Sequence, residues 1–176
     1  MANYSRLIEK IDERLKQYNY YPHIEHVIPD ALYISYVKNP ELFKVRNLCA
    51  VIDIPQNLVK KDPLKRYFNF IKNNLLAEYG DAILWKELEF CFVGLCKSEA
   101  FEVIQKEESQ IVGTVSFSLN SLLGCSLVDK NTLEHYDWSS WGLFFSGNHF
   151  QTVCSVVEQW CQNEKKESHS ANQQQP

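Results

Sequence analysis

Two stretches of the chain are almost unbroken in apolar residues: Leu-Cys-Ala-Val-Ile-Asp-Ile at 48–54 and Phe-Cys-Phe-Val-Gly-Leu-Cys at 90–96. Neither alternates apolar with polar positions. That pattern predicts strands buried on both faces, as in a parallel sheet covered by helices. Between them Leu64, Tyr67, Phe68, Ile71, Leu75 and Leu76 recur at helical spacing, with Asp62-Pro63 as a start signal and Gly80 as a stop. Strand, helix and strand in this order make a β-α-β unit with a right-handed crossover. Tyr67, Phe68, Ile71 and Leu75 are expected to pack on Val51 and Val93.

The flanking segments carry weaker patterns. Leu7, Ile8, Ile11 and Leu15 form an apolar stripe on a surface helix, for which Ser5 is the expected cap. Across 31–37, Leu32, Ile34 and Tyr36 alternate with Tyr33, Ser35 and Val37, the pattern of a strand. The turn chemistry of Lys38-Asn39-Pro40 leads into a strand from Phe43 to Ile54, so the two are expected as a hairpin. Ser98 caps a segment, 99–105, that fits a helix or a continuing strand. Residues 111–119 alternate as a half-buried strand, and 121–128 either pairs with it or forms a short helix. Residues 137–148 read as an aromatic, glycine-interrupted loop. The closing helix, 149–162, turns Phe150, Val153, Cys154, Val157, Trp160 and Cys161 inward.

These elements predict an α/β (or α+β) fold. Residues 1–162 make a single domain, with a mixed sheet of about five strands, an N-terminal helix, a crossover helix and a C-terminal helix. The polar residues 163–176 are expected to be a disordered tail, having too little apolar surface to offset their ordering entropy.

Composition adds bounds. A chain of 176 residues that is 45% hydrophobic can bury a core without disulfides or metals. Cys49 and Cys91 lie inside the apolar runs, and Cys154 and Cys161 share the inner face of the last helix, so the cysteines read as reduced core residues. Arg6, Glu9, Lys10 and Asp12 break any secretory pattern, and no uncharged apolar stretch reaches membrane-spanning length. The expectation is a cytoplasmic protein without membrane contact. A net charge of −4 gives no electrostatic footprint for nucleic acid.

Several residue groups invite chemistry. Asp53 ends the first buried strand, where open α/β sheets place ligands, and a carboxylate there suits a general base or a metal. The alternative is a strand-end Asp that accepts hydrogen bonds from the next turn. Pro55-Gln56-Asn57 lacks the glycines of a phosphate cradle. Glu87 and Glu89 share one face of the second strand, and with Asp53 they would form a nuclease-like acidic set, although no Glu-x-Lys stands in the right relation to Asp53. His23 and His26 are bracketed by Pro22 and Pro29 and read as connector residues, not as metal ligands. Lys60, Lys61, Lys65 and Arg66 read as a solvated helix face. The densest aromatic group surrounds Tyr136, Asp137, Trp138, Trp141, Asn148 and His149. It suits a binding wall, or a loop stapled onto the core.

Two functions fit. The first is a non-catalytic cytoplasmic binding or adaptor domain that acts through protein contacts and forms homo-oligomers, with Tyr136, Asp137, Trp138, Trp141, Asn148 and His149 as its contact residues. The alternative is a small metal-dependent hydrolase or nuclease-like enzyme centred on Asp53, Glu87 and Glu89. No motif in the chain calls for a cofactor.

Overall fold

The computed structural model describes residues 2–22, 28, 30–39, 44–79, 88–111, 121–139 and 148–173. In chain order the elements are α1 (Tyr4–Lys16), β1 (Tyr21–Pro22), β2 (Ala31–Asn39), β3 (Lys44–Asp53), α2 (Lys61–Tyr79), β4 (Leu88–Cys96), α3 (Ser98–Lys106), α4 (Glu108–Ile111), β5 (Ser121–Asp129), β6 (His135–Ser139) and α5 (Asn148–Gln173). The strands form one sheet in the order β1-β2-β3-β4-β5-β6. β1, β2 and β3 are antiparallel neighbours, β3, β4 and β5 are parallel, and β6 returns antiparallel to β5. The fold is therefore the expected mixed α/β domain, with six strands against the expected five or so.

The central strands are buried on both faces. Ala50, Ile52, Phe92, Cys125 and Leu127 point to one side, where Leu64, Phe68 and Ile71 of α2 and Phe101 and Ile104 of α3 cover them. Cys49, Val51, Cys91, Val93 and Val128 point to the other side, beneath Leu7, Ile11 and Leu15 of α1 and Val153, Val157 and Trp160 of α5. The result is three layers, helix, sheet and helix. At Gly124 the ring of Phe150 comes so close that a Cβ would lie 2.4 Å from it, so only glycine fits there.

Several sequence expectations change at this level. The crossover helix does not pack on Val51 and Val93, which belong to the opposite face. It packs on their strand neighbours, with the rings of Phe68 and Phe92 at 5.3 Å. Asn3, not Ser5, caps α1, its side chain accepting from the Arg6 N–H at 3.2 Å. The segment is helical from Ser98 itself, and the cap position is held by Lys97, without a side-chain capping bond, not by Ser98. Residues 121–129 are a parallel central strand, while the strand expected at 112–119 lies outside the described residues.

Residues 163–173, expected as the start of a disordered tail, continue α5. Glu164 is buried there and accepts from the Asn3 backbone N–H at 3.2 Å, and Glu167 pairs with Arg6 at 2.9 Å. The run is polar, but it lies against the start of α1, which supplies donors that composition does not reveal. Tyr18 and Thr152 join the other ends of these two helices at 3.1 Å, so α1 and α5 are antiparallel.

Candidate functional site

The carboxyl ends of β3, β4 and β5 lie side by side, since Asp53 is level with Leu95 and Cys96 with Asp129. Lys130, just beyond β5, reaches across to Asp53 and donates to Oδ1 at 2.6 Å. Its own N–H donates to the carbonyl of Cys96. Asp129 closes the turn between β5 and β6. Its carboxylate accepts from the N–H groups of Asn131 at 2.8 Å and Thr132 at 3.4 Å, and from the Thr132 hydroxyl at 3.0 Å. Burial pushes the Asp129 carboxyl up, but hydrogen bonds from Asn131, Ser98 and Thr132 outweigh burial and hold it below the usual range.

Beside this ridge a cleft of about 320 Å³ opens between the start of β2 and the end of β3. Asp30, Ala31, Leu32, Asp53, Ile54, Pro55 and Gln56 line it. The Asp53 N–H donates to the Asp30 carbonyl at 2.9 Å, which brings the two acidic residues together. Asp30 Oδ2 accepts from the Tyr67 hydroxyl of α2 at 3.0 Å. Burial raises the Tyr67 phenol well above its ordinary value, and the charges of Asp30 and Asp53 raise it further.

Leu32 lines the cleft at a point where β2 is irregular. Ala31 pairs with Ile52 and Tyr33 with the adjacent Val51, so Leu32 is an extra residue in a bulge. Bulges re-aim side chains next to functional sites. Leu32 is 43% exposed, and the other exposed large hydrophobics among the described residues are Tyr21 and Phe70.

The residues nominated from sequence are dispersed. Asp53 is at this cleft. Glu89 pairs with Asn47 at the amino end of the parallel strands, six positions from Leu95, or about 20 Å along the strand. The structure therefore does not bring Asp53 and Glu89 together, and Glu87 lies outside the described residues. The aromatic set splits across the sheet. Tyr136 and Trp138 lie on β6, not in a loop, and pack half-buried against the core beneath α2 and α3. Asp137, between them, accepts from Ser126 Oγ at 2.6 Å. Cys154, half-buried, has its thiol pushed up by burial first and by the Asp137 carboxylate second. His149 meets Asn47 and the Tyr20 hydroxyl through Nδ1, at 3.0 and 3.3 Å, and stacks on Tyr18. Asn148 opens α5, and Trp141 lies outside the described residues.

Sequence reading missed Asp30, Leu32, Tyr67 and Lys130 as site residues. For Lys130 the signal was present, because it follows an apolar run just as Pro55 and Gln56 follow the strand that ends at Asp53. Asp30 and Leu32 gave none, since a bulge is not visible in an alternating pattern.

The other thiols sit in the core. Cys49, Cys91, Cys96, Cys125 and Cys161 are buried and free. Cys96 is pushed up to about 12 by burial and then by the Asp129 charge, the reverse of what activates a nucleophile. No group of three His, Cys, Asp or Glu side chains suited to a metal occurs among the described residues. Nor is any described helix long and apolar enough to cross a membrane.

The fold and site define a three-layer α/β domain with a cleft beside the carboxyl ends of its parallel strands. Comparison with known protein families, curated proteins and solved structures finds no match for this chain.

Proposed function

We propose that this protein is a non-catalytic binding or adaptor domain that engages a protein partner, either another polypeptide or a second copy of itself. The observation that carries this reading is the cleft at Asp30, Leu32 and Asp53. A bulge exposes an apolar side chain in its lining, and the carboxylates beside it are engaged by Tyr67 and Lys130. A solvated leucine beside oriented polar groups suits an interface, where apolar contact supplies affinity and polar groups supply orientation. The reading moves the contact surface away from the aromatic residues expected to form it. Tyr136 and Trp138 instead help to fill the core.

The test is quantitative capture of partners by the full chain, with Leu32→Ser as the site variant and Phe70→Ser as an exposed apolar control. A specific partner should lose at least about tenfold in affinity with Leu32→Ser, the scale of a hot-spot residue, and be indifferent to Phe70→Ser. Thermal melting with Mg²⁺ and Mn²⁺ runs beside it. Stabilisation by either ion that vanishes in Asp53→Ala would overturn the reading in favour of a metal-dependent enzyme.

A further inference from the structure

Asp30 and Asp53 differ in how their charge is met. Asp53 has Lys130, whose side chain is only 14% exposed and is not among the residues that line the cleft. Asp53 itself is 45% exposed at the side chain, with Oδ1 taken by Lys130. Asp30 is half-buried, and among the described residues its carboxylate accepts from the neutral Tyr67 hydroxyl. It has no ion-pair partner among the described residues. Among the described residues, one lysine therefore faces two carboxylates, which leaves Asp30 without a counter-charge. A half-buried carboxylate without a counter-charge favours a cation more strongly than one in bulk water, because the local dielectric is lower. The remaining lining is mostly apolar, with Leu32 exposed beside Ala31, Ile54 and Pro55, and it includes the polar Gln56.

A mostly apolar wall beside a carboxylate without a counter-charge complements an alkyl stem that ends in a positive charge. We propose that the cleft receives an arginine or lysine side chain of a partner polypeptide, its stem on Leu32 and its cationic head between Asp30 and Asp53. The volume of about 320 Å³ suits one side chain and not a folded element. Long basic side chains bury their methylenes while keeping the head polar, and paired carboxylates match the fork of a guanidinium. This inference rests on the protein-binding reading above and specifies the chemistry of the contact.

The experiment is an amide NMR titration of the full chain with N-acetyl-arginine amide, and in parallel with N-acetyl-citrulline amide, its neutral counterpart. Saturable shifts are expected at Leu32, Ile54 and Gln56 with the arginine compound and not with citrulline. Asp30→Asn should weaken binding about tenfold or more, and its amide side chain can still accept from Tyr67. If that variant fails to fold, Leu32→Ser at an exposed position serves instead and should weaken the same shifts. Equal shifts with both compounds, shifts confined to another face, or no shifts would overturn the inference. Tighter binding of free arginine than of its blocked amide would reassign the cleft to a small molecule and overturn the polypeptide assignment. A partner captured at Leu32 but indifferent to Asp30→Asn would end this inference while leaving the binding-domain reading intact.

Discussion

Among single residues, Asp129 ties local turn geometry to stability. Its carboxylate organises the turn that carries Lys130 to Asp53, so the turn and the cleft share one support. Because its folded pKa lies below the ordinary value of 3.8, the ionised form favours folding. That contribution is complete above the unfolded value and fades as pH falls below 3.8 through the lowered folded one. Urea midpoints at a series of pH values should therefore show the wild type losing its margin over Asp129→Asn as the solution is acidified. A margin that stays constant down to pH 2 would mean that Asp129 does not titrate between the two states. At this scale the sequence is legible where a residue ends a recognisable strand, which is why Asp53 stands out. Lys130 does not, because the apolar run before it, 121–128, fits a short helix as well as a strand. Without a strand there is no carboxyl end on which to place a charge.

Among elements, the lesson is one of facing. Residues 48–54 and 90–96 are apolar at nearly every position, which identified them as central strands. The same uniformity hid which alternate set meets which helix. When both faces are apolar, a one-residue change of facing costs nothing in the pattern, so only the three-dimensional register decides. It sets Phe68 over Phe92 and leaves Val51 and Val93 to α1 and α5. Helix α2 supplies its own control. Phe68 is 1% exposed and Phe70, two residues on, is 47% exposed. Phe68→Ala should cost about 3 to 5 kcal/mol, the transfer of a ring plus the cavity it leaves. Phe70→Ala should stay within about half a kcal/mol, as surface substitutions do. Chemical denaturation of the two variants measures the difference, and equal losses would refute the facing of α2. Bulges belong to this scale too. The alternation of Leu32, Ile34 and Tyr36 announced a strand, yet it gave no sign that Leu32 would be the extra residue at the cleft.

Across the whole molecule, the first and last helices are joined. Helix α5 runs alongside α1, and beyond Gln162 its contacts to α1 are polar: Glu164 to the Asn3 N–H and Glu167 to Arg6. Composition alone reads this stretch as solvated, because burial of a carboxylate depends on a donor from a segment about 160 residues away in sequence. Glu164 is only 7% exposed, so its bond is shielded, whereas the Arg6–Glu167 pair is open to solvent and contributes little. Removing residues 163–176 should then cost more than trimming a tail. The loss of one shielded, charge-assisted bond sets the scale at about 1.5 to 3 kcal/mol. For a chain of this length that lowers the melting temperature by about 3 to 12 °C. Ending the chain after Ser168 keeps Glu164 and Glu167 and should leave the melting temperature nearly unchanged. Glu164→Ala in the full chain should reproduce most of the loss caused by the longer truncation. If both truncations melt with the full protein, the last turns of α5 contribute nothing to the fold, and the polar join between α1 and α5 carries no stability.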